Sequence, residues 1–154
     1  MFQLIKNNDA NFTPKEASKV VNDDGNPLAY AADIISDLRN LKTASLAWYA
    51  DNLDYVERKT QQNGHYFSKL SNEKADILKY LGYVHELNHS YSFSDGKDSG
   101  TWFVWRNVTA PMVFNKLKER ADSVGLVLQG ASNTTGTPLS KTKEKTGKVG
   151  LLIR

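Results

Sequence analysis

From Leu28 to Val56 the apolar side chains Ile34, Ile35, Leu38, Leu41, Trp48, Tyr49 and Leu53 recur at helical spacing, and no other pattern in the chain restricts the fold as much. Asn26-Pro27 supplies the start: an asparagine at the cap, then a proline at the first helical position, where a missing N–H costs nothing. Read continuously from Pro27 to Lys59, such a helix is about 50 Å long at 1.5 Å per residue. In a chain of 154 residues it is either a spine or it breaks near Lys42-Thr43. As a spine it offers a dimerisation or partner surface, with Trp48 and Tyr49 as the natural anchors. Periodicity alone leaves both open.

Other signals frame this stretch. Thr13-Pro14-Lys15-Glu16 has the form of a capping box, and Ser71-Asn72-Glu73 caps a short helix expected over 72–81, closed by Gly82. Beyond Gly82 the texture changes. Tyr91 and Phe93 alternate with Ser90, Ser92 and Ser94, residues 95–100 form a turn cluster, and 101–106 have strand character, which together predict a hairpin. Thr109-Ala110-Pro111 opens another helix, with Phe114, Leu117, Ala121 and Val124 inward and Lys116, Lys118, Glu119, Arg120 and Asp122 mostly outward. Gly125 ends it before a strand at 126–128. The expected fold is α+β: N-terminal helices packed on a small antiparallel sheet, within a single domain over 1–130. Residues 131–154 read as a flexible basic segment ending in an edge strand or docking segment at 149–153.

Apolar residues at 40% and charged residues at 24% describe a folded chain rather than a disordered one. There is no cysteine, which excludes disulfides, thiolate nucleophiles and iron–sulfur clusters. No run of 18 apolar residues is present and residues 1–8 lack a signal-peptide pattern, so a cytoplasmic protein with no membrane association is expected. The net charge of +3 is unevenly spread. Residues 131–154 carry Lys141, Lys143, Lys145, Lys148 and Arg154 against Glu144 alone, whereas 1–130 hold 15 Lys/Arg and 16 Asp/Glu. The basic character belongs to one segment, and such a patch attracts polyanions.

The string His85-Glu86-Leu87-Asn88-His89 carries two incompatible meanings. On a helix, histidines four apart share one face and can hold a zinc ion while the glutamate polarises its bound water. With Asp95 six residues on as third ligand, it resembles the extended zinc motif of the metzincin peptidases, and Met112 is a candidate for their methionine turn. That resemblance implies a zinc-dependent hydrolase with His85, His89 and Asp95 as ligands and Glu86 as base. It spans some eleven residues, and Ser92 stands where these peptidases have a glycine. On a strand, His85 and His89 lie on a solvated side with Leu87 inward. Gly82 before the string and the strand-rich sequence after it favour the extended form, with no metal or cofactor expected.

A short helix followed by a long hairpin with a Gly-rich tip is similar to the last helix and wing of a winged-helix domain. The similarity implies nucleic-acid binding, with Lys69, Lys74, Lys79 and Lys97 on phosphates and the basic segment at Lys141, Lys143, Lys145 and Lys148 adding to them. Tyr91, Phe93, Trp102 and Trp105 are stacking candidates for a single strand, or else the inner face of a half-buried sheet. There is no phosphate-binding loop, dinucleotide fingerprint or nucleophile-elbow serine. The functional expectation is a small nucleic-acid-associated accessory or regulatory protein, DNA or RNA, of a kind that phages and plasmids carry. A non-catalytic interaction module and the zinc hydrolase are the alternatives.

Overall fold

The computed structural model describes residues 26–63, 73–81, 91–98, 100–132 and 134–154. Its longest helix, α1, runs over Pro27–Asp51. The Asn26 side chain accepts a hydrogen bond from the Ala29 N–H at 3.1 Å, and Pro27 follows it in the first turn. No break occurs at Lys42-Thr43. Ala31, Ile34, Ile35, Leu38, Leu41, Ala44, Ser45 and Trp48 form one buried stripe through that point, and Ser45 is accommodated by donating to the Leu41 carbonyl at 2.8 Å. Each large aliphatic side chain on the stripe contributes about 1.5–3 kcal/mol by burial. The helix stops at Asn52, whose backbone N–H reaches the Trp48 and Tyr49 carbonyls at 3.0 and 3.1 Å. Its side-chain amide also donates to the Trp48 carbonyl, at 2.9 Å. A second helix, α2 (Leu53–Asn63), follows directly, and α3 (Glu73–Leu78) is shorter than the expected 72–81.

The sheet has five strands: β1 (Tyr91–Asp95), β2 (Trp102–Val108), β3 (Val127–Gln129), β4 (Gly136–Pro138) and β5 (Gly147–Leu152). Their order is β1-β2-β5-β3-β4, and every neighbouring pair is antiparallel. Between β2 and β3 comes α4 (Pro111–Val124), closed by Gly125 in the left-handed region at φ 86°. Both β2 and β3 are antiparallel to β5, so they run parallel to each other with β5 between them. This is a split βαβ unit. The α+β reading, helices against a small antiparallel sheet, therefore holds.

The segment 149–153 is a correction: it is not at the edge. Its strand β5 is the middle of the five, bonded to β2 on one side and β3 on the other. Val149, Leu151 and Ile153 are buried and alternate with Lys148, Gly150 and Leu152, so one face of β5 belongs to the main core. Helices α1 and α4 cover that face, over Trp102, Val104, Val108, Leu128, Val149 and Leu151. On the opposite face Phe103 and Trp105 stack with centroids 4.9 Å apart. Trp105 Nε1 donates to Ser94 Oγ at 2.8 Å. Gly150 makes room for this ring, since a Cβ there would lie 2.6 Å from Trp105 Cε3. Because β5 bonds the far side of β2, the 91–108 hairpin is the margin of a wider sheet rather than a free two-stranded wing.

Candidate functional site

The first turns of α4 and the segment that leads into β5 enclose a cleft of about 420 Å³. Val113, Phe114, Leu117 and Ala121 turn into the core, leaving Met112, Asn115, Lys116 and Lys118 on the outer side of the helix. Facing them is a strap that begins at a 3₁₀ turn, Leu139–Lys141. Leu139 is fully buried and anchors the strap at one end. Ser140 Oγ donates to Asp122 Oδ1 at 2.6 Å, and Lys118 Nζ donates to the Thr142 carbonyl at 2.6 Å. At the other end Gly147 pairs with Val108 at the start of β5.

These fixings bring Lys143 and Lys145 of the strap to the same cleft as Lys116 and Lys118 of α4. Among the described residues Glu144 is the single carboxylate in the lining, and Lys116 also pairs with Glu119 at 3.6 Å just outside it. Pro111, Met112 and Phe114 supply the apolar part of the lining. Met112 is 60% exposed, so the fold itself leaves this side chain uncovered. Four lysines against one glutamate in the lining of a concave, partly apolar surface bias its potential toward positive.

Sequence reading singled out Lys143 and Lys145 but left Lys116 and Lys118 as outward helix residues. Nothing local in the sequence marks the latter two, because their association with the strap is tertiary. Of the other lysines, Lys141 is exposed at the end of the 3₁₀ turn, and Lys148 is exposed on β5, on the sheet face away from the helices. Lys97 is exposed in the hairpin turn, and Lys79 is exposed and paired with Asp76 at 3.3 Å. None of these four lines the cleft. Lys74 lies on α3, and Lys69 falls outside the described residues.

The expected aromatic anchors are used internally. Trp48 is 3% exposed and packs toward Trp102 with centroids 6.4 Å apart. Tyr49 meets the Trp102 ring edge-on at 5.1 Å and lies under the Arg154 guanidinium at 4.0 Å. Tyr91, Trp102 and Trp105 are buried and Phe93 is half-buried against the core, so the sheet's aromatics build packing rather than an open stacking platform.

A second polar cluster lies sealed between α1 and the β1–β2 margin. Asp37, Tyr91 and Arg106 are all at most 5% exposed. Tyr91 Oη donates to Asp37 Oδ2 at 2.9 Å, and Arg106 donates through Nη2 to Tyr30 Oη at 2.5 Å. The Arg106 guanidinium stacks over both tyrosine rings, 5.1 Å from Tyr91 and 5.5 Å from Tyr30. Burial pushes the Tyr91 phenol far above its usual range, and the Asp37 charge pushes the same way against the opposing pull of Arg106. This cluster joins the helix to the sheet.

His85, Glu86 and His89 lie outside the described residues. Asp95, the remaining member of the proposed zinc set, is 3% exposed on β1. Among the described residues no group of three or more His, Cys, Asp or Glu side chains is close enough to hold a metal ion. Nor is any described helix long and apolar enough to cross a membrane. No known protein-family model, characterised protein or solved structure shows significant similarity to this chain.

Proposed function

We propose that the protein is a small nucleic-acid-associated accessory protein, and that the lysine cleft is where it meets the phosphate backbone. One observation carries the reading: Lys143 and Lys145 from the strap join Lys116 and Lys118 from α4 around a single concavity, with Glu144 the only acidic lining residue among the described residues. Lysine ammonium groups contact phosphate as point charges without demanding the fixed fork geometry of arginine, so the cluster suits a backbone more than a specific base edge. Lys141, in the 3₁₀ turn at the start of the strap, is exposed and adds a further positive charge to that segment.

The reading is tested by binding of DNA and RNA oligonucleotides as a function of salt. Each phosphate neutralised by a lysine adds about −0.9 to the slope of log K against log salt on a duplex and about −0.7 on a single strand. The double variant Lys143→Gln, Lys145→Gln is expected to reduce the slope by about 1.4 on a single strand to about 1.8 on a duplex and to weaken binding to all sequences alike. Substitution is the right tool, because deleting 141–148 cuts into β5. Absence of binding to either nucleic acid at low salt rejects the function. A double variant with wild-type affinity and slope removes the cleft from it.

A further inference from the structure

We infer that the ligand of this cleft is a single strand, with one base seated against exposed Met112 and its flanking phosphates held by the lysines. The inference rests on the nucleic-acid reading of the same cleft. Concavity is the first argument. A space of about 420 Å³ has the dimensions of a small-molecule pocket, which admits a group of nucleotide size. A duplex presents its phosphates along a convex rim and keeps its base faces stacked inside, so it would leave the concavity unfilled.

The exposed apolar lining is the second argument. Met112 is 60% exposed and lines the cleft with Pro111 and the four lysines. A phosphate-only ligand gains nothing from it. The flat face of an unstacked base does, because a thioether is polarisable and packs well against aromatic rings. Glu144 points the same way. Within the lining it disfavours phosphate at its own position, yet a carboxylate accepts hydrogen bonds from the exocyclic amines of bases. Charge for the backbone, an apolar seat and an acceptor for a base edge meet in one place.

The experiment uses fluorescence anisotropy with the full chain, a labelled single strand of about 15 nucleotides and the duplex of the same sequence. The single strand is expected to bind more tightly than the duplex. Met112→Ser, at an exposed position that the core does not use, is expected to weaken single-strand binding by about two- to tenfold while leaving duplex binding and both salt slopes unchanged. Equal or tighter duplex binding overturns the inference, as does unchanged single-strand affinity in Met112→Ser; either result leaves general nucleic-acid binding standing. If neither ligand binds at low salt, both readings fall together. Thermal melts of the variant confirm that any loss reflects the cleft and not the fold.

Discussion

Tyr91→Phe removes one oxygen atom from the sealed cluster between α1 and the sheet, and its cost can be worked out from the geometry. The phenol donates to Asp37 at 2.9 Å, and both residues are at most 4% exposed. A hydrogen bond to a charged group contributes about 1.5–3 kcal/mol, and here water cannot readily take the place of the lost donor. For a domain of this size that predicts a melting temperature lower by about 3–12 °C. Chemical denaturation at neutral pH should give the same loss with an unchanged m-value. The pH dependence provides a second readout. The Tyr91 pKa is raised in the folded protein above its unfolded value near 10, so the proton is held more tightly when folded. That contribution is fully present below pH 10 and is lost as pH rises above it, by up to about 1.4 kcal/mol per unit. Wild type should therefore lose stability above pH 10 more steeply than Tyr91→Phe does. A variant within about 0.5 kcal/mol of wild type, with a parallel alkaline limb, would refute the view that this hydrogen bond is a sealed, charge-assisted tie.

Two further outcomes follow from local geometry. Gly150→Ala puts a Cβ into overlap with the Val104 carbonyl and 2.6 Å from the Trp105 ring, both rigidly held in the centre of the sheet. A loss of about 2–3 kcal/mol or more is expected from denaturant melts, with Trp105 fluorescence altered. Asn26→Ala removes the cap acceptor of the Ala29 N–H and should cost about 1 kcal/mol by thermal melting, with helix content otherwise preserved.

The start of α1 and both ends of α4 were legible because their signals are local. Asn26-Pro27 starts α1, Pro111 starts α4 and Gly125 ends it, each where its chemistry requires. The hairpin was also readable from the turn cluster after Asp95. The sequence leaves a spine and a break near Lys42-Thr43 equally open because the polar look of that dipeptide says nothing of what packs against Leu41, Ala44 and Ser45; burial carries the helix on to Asn52. Strand order was the least accessible feature. Apolar alternation at 149–153 announces a strand but not its neighbours, and Arg106, Tyr91 and Asp37 meet only because distant segments share one interface. The cleft was half visible: the strap lysines stand out by composition, whereas Lys116 and Lys118 acquire their meaning only when the strap crosses α4.

The central place of β5 also dictates an order of events during synthesis. Its neighbours β2 and β3 are both made earlier, and each must wait with an unsatisfied row of backbone groups until residues 147–152 emerge and slot between them. The decisive contacts therefore join segments far apart along the chain, a topology that folds slowly and exposes two sticky margins to neighbouring chains in the meantime. Stalled or prematurely ended chains should accordingly be the species that chaperones and proteases meet most often.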